Sequence, residues 1–372
     1  MKNSEINLNV ETQILKKQRN SSIELLRIIC ILLIIAHHYS VHGGFGVFKY
    51  DSLNAQQIYI QILSMFGRIS CSVFAIITGY YMVNSKINYK KIYYLILEML
   101  FYSFTILIVA YMIKIYPIPF SEVFKSLFPI FWGNWYLVAY IVFCFFIPYI
   151  NVMLQRLNQK EFKRLLISLI VVWSVIPTLT HNCWKFSNLD FFFVMYCTGA
   201  YERKYIKVNE PPNKNYINIC ILLSGILLLI ISVLLLDFLG VYFKSQMLID
   251  LATYFREYNS VISVIIAVSM FRFFKNINFY SCILSFIASS VVGIYLIHDN
   301  LIMRKFIWEV LSPNIKYINS NYIYIHSILK ILLVFMISLI IDKFRIYVLH
   351  KYLEGFEDKI FNFLIKKIKR LL

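Results

Sequence analysis

From Ile23 to Phe344 the sequence is a succession of apolar runs, several about as long as a bilayer's hydrocarbon core is thick. A helix needs roughly 20 apolar residues to cross that core. Within it, every backbone N–H and C=O must find a partner inside the protein, which leaves helices or closed barrels. Runs of this length restrict the chain to a bundle of membrane-crossing helices. Composition agrees: 60% of the 372 residues are hydrophobic and only 15% are charged, and the mean hydropathy is +0.68. No polar stretch is long enough for a separate soluble domain. The expected fold is all-α, a polytopic transmembrane helical bundle of about ten spans. These fall at approximately 23–41, 58–83, 92–115, 132–150, 164–180, 189–202, 216–238, 257–274, 280–300 and 323–347, the sixth short enough to be tilted or partly re-entrant.

The formal charge of +18 comes from basic residues placed mainly between spans. With the N-terminus inside, most of the 37 Lys and Arg fall in inner segments: Lys16, Lys17 and Arg19, then Lys86, Lys90 and Lys91, then Arg156 to Arg164, then Arg203 to Lys214, and finally Lys343 to Arg370. That asymmetry favours both termini in the cytoplasm. The chain divides into a cytoplasmic tail (1–20), a transmembrane domain (21–347) and a basic amphipathic segment (348–372) suited to the inner membrane surface. No basic module interleaved with aromatics occurs, so nucleic acid is not an expected partner. The seven cysteines are scattered without a CxxC pair, which suggests neither a zinc site nor a disulfide framework. The first apolar run ends in histidines, not at a small-residue cleavage site, so no cleavable leader is expected. No internal repeat stands out.

Ionisable residues inside spans are costly unless paired or hydrated, and so mark candidate sites. The first span carries the densest set, in SSIELLRIICILLIIAHHYSVHGG. Ser21 and Glu24 have the spacing of a capping box. Glu24, Arg27 and His38 fall on one helix face, with Arg27 and His38 eleven residues and about 16 Å apart. The stripe serves either to anchor the helix at both interfaces or to carry chemistry. His37 points roughly 100° away from His38 and reads as structural. His38 and His42 have the i, i+4 spacing of metal ligands, but no acid or cysteine is near in sequence and Gly43-Gly44 end the helix, so no metal is expected. Arg68, in SMFGRISCSVFAIITGYYM, is a permanent cation toward the outer third of its span, suited to an anionic ligand or to an internal acid. Trp135 and Tyr136, in GNWYLVAYI, sit where an aromatic belt would form. Tyr295, His298 and Asp299 end VVGIYLIHDN, in which Ala288, Ser289, Ser290 and Gly293 permit close helix packing.

These segments, in this order, resemble the membrane-bound acyltransferase-3 family, which includes bacterial O-acetyltransferases of surface polysaccharides. The resemblance spans roughly residues 21 to 347. Its most specific mark is arginine, ten residues, then histidine on the first helix, matched by Arg27 and His38. The Gly-Tyr after the second span and Gly-Ile-Tyr-Leu-Ile-His support it. Many members carry Arg-x-x-Arg near the second and third spans; here NSKINYKKIYY offers Lys86, Lys90 and Lys91 instead, without an arginine's bidentate fork. No appended hydrolase-like domain is expected.

The resemblance implies transfer of an acyl group, usually acetyl from cytoplasmic acetyl-CoA, to a hydroxyl of an envelope polysaccharide or lipid-linked glycan, at the cell (inner or plasma) membrane. Acetyl-CoA would be a co-substrate, with no metal. On this reading His38 is the base, or is itself transiently acylated. Arg27 would hold CoA phosphate or hydrate the shared face beside Glu24, and Lys90 and Lys91 would add donor contacts. Arg68, Trp135, Tyr136 and Tyr295 would shape the acceptor side, with His298 a secondary polar contact. Two other classes compete. A transporter or flippase for an envelope lipid or glycan would leave its cargo's mass unchanged. A polysaccharide polymerase should carry larger outer loops rich in acids or arginines.

Overall fold

The computed structural model describes residues 20–181, 187–206 and 212–349. The tail before Asn20 and the amphipathic segment beyond residue 349 lie outside the described residues. Those described form helices and no strand. In chain order the helices are α1 (Ser21–Val41), α2 (Ala55–Ser64), α3 (Phe66–Met82), α4 (Tyr89–Met112), α5 (Phe120–Leu127), α6 (Pro129–Trp132), α7 (Trp135–Arg156), α8 (Gln159–Ile170), α9 (Ile176–Leu179), α10 (Asn188–Tyr205), α11 (Pro212–Tyr242), α12 (Gln246–Leu251), α13 (Val261–Lys275), α14 (Cys282–Ala288), α15 (Val291–His298), α16 (Leu301–Lys305) and α17 (Tyr322–Phe344).

Eight helical segments among the described residues are long and apolar enough to cross a membrane, and a bent ninth is the pair Cys282–His298 and Leu301–Tyr317. By length and composition the count is eight or nine, near the expected figure of about ten. The difference is the sixth expected span, 189–202. It exists as the 18-residue α10, but it carries Asp190, Glu202, Arg203 and Lys204. Such a helix suits a position walled by protein, and α10 packs along α3 and α7. The marked break lies instead in the ninth expected span, whose two helices bend by 76°.

α1 is the axis of the bundle. It packs against α2, α3, α13, α14, α15 and α17, and 72% of its apolar window is buried, against 17% for Asn215–Tyr242. The contrast separates a helix facing protein from one facing lipid. Small residues let the inner helices touch. A Cβ on Gly79 would lie 2.1 Å from the Tyr196 carbonyl oxygen, and one on Gly199 would lie 2.0 Å from that of Ile76. These paired contacts bring α3 and α10 backbone to backbone.

The expected Ser21 cap is corrected. Asn20 is the N-cap of α1, its side chain accepting from Ser22 N at 3.0 Å. Ser21 instead accepts from Ser281 N at 2.8 Å, tying the start of α1 to the start of α14. Glu24 is left to hold Arg27.

Candidate active site

α1 ends at Val41, and His42 closes it with its N–H on the His38 carbonyl at 3.0 Å. His38 therefore sits in the last turn, 9% exposed. Against it lies the break in the ninth span. α15 ends at His298, α16 begins at Leu301, and Asp299 and Asn300 form the non-helical corner between them. Irregular backbone inside a membrane protein persists where side chains satisfy it. Asn300 does so by accepting from Ile302 N at 3.0 Å. Asn134, the N-cap of α7, donates to the Asp299 carbonyl at 2.9 Å.

Hydrogen bonding at this corner fixes the imidazole tautomers. His298 Nδ1 lies 2.6 Å from the Ile294 carbonyl, which only accepts, so Nδ1 carries the proton. In neutral His298, Nε2 is then an acceptor, and it lies 3.0 Å from His38 Nδ1. His38 must donate through Nδ1, with Asp299 Oδ1 3.6 Å from the same atom. His38 Nε2 is left as a bare lone pair, the state a general base requires. Asp299 is held in turn: Oδ2 accepts from Asn134 at 2.9 Å, and Oδ1 accepts from Arg304 at 2.7 and 3.1 Å. A cavity of about 20 Å³ beside Asp299, bordered by Tyr102, Ser126, Asn134 and Arg304, has room for about one water.

Ligand atoms of His38, His42 and Asp299 lie within 4.8 Å of one another. The fold thus supplies the acid that sequence did not place near the histidines. The set does not suit a divalent cation, because both Asp299 oxygens are engaged and the Arg304 guanidinium lies on Oδ1. His42 stays neutral at neutral pH, since burial and then Arg304 push it down to about 4.

The other sequence candidates separate into groups. Tyr295 packs on His298 at 6.1 Å, and Tyr136 lies edge-on to Tyr295 at 6.4 Å. Tyr136 is not at the interface as expected: its hydroxyl donates to the Cys71 carbonyl at 3.3 Å and its ring packs on Phe192. Trp135 is 37% exposed and stacks on Tyr258 at 6.3 Å. Arg68 is ion-paired with Glu257, so an internal acid is its partner in this structure. His37 turns away, with Nδ1 2.5 Å from the Ser64 carbonyl. Gly67 makes room for it, because a Cβ there would meet the His37 side chain at 2.3 Å.

Toward the other end of α1, Arg27 donates to Glu24 at 2.8 Å and is half-buried. Lys90 and Lys91 lie in the first turn of α4, which packs chiefly on α5, α6, α15 and α16, not on α1. Lys90 lies 5.6 Å over the Tyr94 ring and Lys91 is exposed. The structure does not bring them to Arg27 and His38. Asn134 and Arg304 escaped sequence reasoning. One reads as a turn residue before a span, the other as a loop cation, and 165 residues separate Asn134 from Asp299.

A family model described as an acyltransferase domain matches residues 20–341. Searches of curated proteins and of solved structures find no match to this chain.

Proposed function

The chain belongs to the acyltransferase-3 family, and from that premise we propose that it is a membrane-embedded O-acyltransferase. It moves an acyl group, acetyl on the simplest reading, from cytoplasmic acyl-CoA to a hydroxyl of an envelope polysaccharide or its lipid-linked precursor. The observation that carries this is the His38–His298 contact at 3.0 Å, which leaves His38 Nε2 as acceptor.

Acyl transfer to an alcohol needs a base for the hydroxyl proton and donors for the oxyanion. The acceptor O–H proton passes to His38 Nε2 as oxygen attacks the thioester carbonyl. The C–O bond forms and a tetrahedral oxyanion results. It collapses, the C–S bond breaks, and CoA leaves as thiol with the proton from His38. Asp299 faces the imidazolium formed on the way, and Asn134 with Arg304 keeps the carboxylate in place. With the Ser21 end in the cytoplasm, Arg27 meets the donor and His38 the acceptor. A groove of about 490 Å³ beside the Val41 end, lined by Ser40, Gln61, Asp250, Thr253 and Arg256, offers donors and acceptors to a hydroxyl-rich molecule.

The test is covalent. Membranes with and without the protein are given labelled acetyl-CoA, and glycan and lipid fractions are weighed by mass spectrometry. Acyl transfer adds the acyl mass to the acceptor. A product that changes location but not mass overturns the reading in favour of a transporter.

A further inference from the structure

Several cations at the Ser21 end are matched to carboxylates. Glu24 holds Arg27 at 2.8 Å. Glu202, buried on α10, accepts from Arg272 Nε at 2.8 Å and from Lys275 Nζ at 2.9 Å. Lys204 is spent on backbone, 2.8 Å from the Leu154 carbonyl. Arg203, like Lys204, has a neutral partner, but a side chain and not the backbone. It donates to the Tyr80 hydroxyl at 3.1 Å and lies over the Tyr80 ring at 5.0 Å.

That arrangement presents the guanidinium. Tyr80 is buried and packs edge-on to Phe271 at 5.2 Å, so its ring is a fixed platform. The backbone contacts at Gly79 and Gly199 hold α3 and α10 in register, which fixes Tyr80 against Arg203. Among the described residues one of the five N–H donors of Arg203 is engaged, and Arg203 is exposed. Arg27 shares this end of the bundle, since Ser22 donates to the Phe274 carbonyl at 2.6 Å and the neighbouring Lys275 is held by Glu202, next to Arg203, at 2.9 Å. A planar, permanently charged fork with free donors suits a phosphate far better than a neutral ligand.

We propose that Arg203 binds a phosphate group of the acyl-nucleotide thioester donor, at the end of the bundle that also holds Arg27. The inference rests on the acyl-CoA reading above. It gives this chain a second arginine contact for the donor, from α10, where the sequence pointed to Arg27 on α1 and to lysines on α4.

The experiment uses the full-length protein in nanodiscs with three donors: acetyl-CoA, acetyl-3′-dephospho-CoA and acetyl-pantetheine, which lacks every phosphate. Arg203→Ala should raise the KM for acetyl-CoA by about ten- to a hundredfold, the scale of one lost charge-assisted hydrogen bond, with kcat unchanged. The KM for acetyl-pantetheine should not move. Arg203→Lys should fall between, and serves as the second variant if the alanine protein does not fold. An unchanged KM for acetyl-CoA in Arg203→Ala overturns the inference alone, as does an equal rise for acetyl-pantetheine. A wild-type protein that uses none of the three donors overturns the acyl-CoA reading and this inference with it.

Discussion

The two ends of α1 treat polar groups in opposite ways. At the Ser21 end charge meets charge, and solvent still reaches two of the cations: the Arg27 side chain is 23% exposed and Arg272 is 38% exposed, while Lys275 meets Glu202 in the interior. At the Val41 end uncharged imidazoles bond to each other in a nearly dry interior, with His298 fully buried. Half-exposed ion pairs contribute about 0–1 kcal/mol each and exchange partners readily. They suit a place where a charged ligand must displace one partner. Buried, hydrogen-bonded rings are costly to disturb and hold a proton at a stated atom. On the proposed reading one end serves recognition and the other proton transfer, and substitutions should divide accordingly.

The largest effect is expected at His38. His38→Ala should lower acyl transfer by about 10²- to 10⁴-fold, the usual contribution of a positioned base, with protein level and helicity unchanged. Labelled acyl transfer read by mass spectrometry decides it. Activity within tenfold of wild type would remove His38 from the mechanism and erase the contrast between the ends.

Asp299 comes next. Asp299→Asn keeps the Asn134 contact but leaves the half-buried Arg304 against a neutral group, so activity and thermal stability should both fall. A hydrogen bond to a charged group contributes about 1.5–3 kcal/mol. Adding Arg304→Gln should restore much of the unfolding temperature while activity stays about ten- to a hundredfold down. If the double variant regains activity as well, Asp299 matters for folding and not for the His38 imidazolium.

How much of this was written in the sequence differs between the ends as well. Arg27 and His38 could be placed on one face because a helix repeats its own geometry. His298 and Asp299 could be flagged because ionisable groups are rare in apolar runs. Their contact with His38 could not, because it joins positions 260 residues apart. Asn134 and Arg304 carry no signal of their own, since each acts only through Asp299. Ser21 departs from the capping-box pattern for a local reason: Asn20 before it is the better cap, and Ser21 is needed by Ser281. α10 lacked the apolar signature of a lipid-facing span because its neighbours are other helices.

At the recognition end the effects should be smaller and should fall on binding. Arg27→Ala removes the partner of Glu24 and a cation beside the donor's path. The expected result is an apparent KM for acetyl-CoA about tenfold higher, with kcat reduced less. Arg27→Lys keeps the charge and should recover part of the KM. A kcat loss matching that of His38→Ala, with KM unchanged, would show that both ends of α1 serve the chemical step.

The smallest effect is expected at His37, the neighbour that shares sequence but not surroundings with His38. Its ring is 5.6 Å from that of His38, yet its Nδ1 contact is the Ser64 carbonyl, toward α2 and away from Asp299. His37→Ala loses that hydrogen bond, worth about 1 kcal/mol, and some packing over Gly67. The unfolding temperature should drop by a few degrees while the transfer rate stays within a few-fold of wild type. Equal losses at His37 and His38 would mean that the two rings act as a pair, and the proton-transfer site would then have to include the α2 side of the helix.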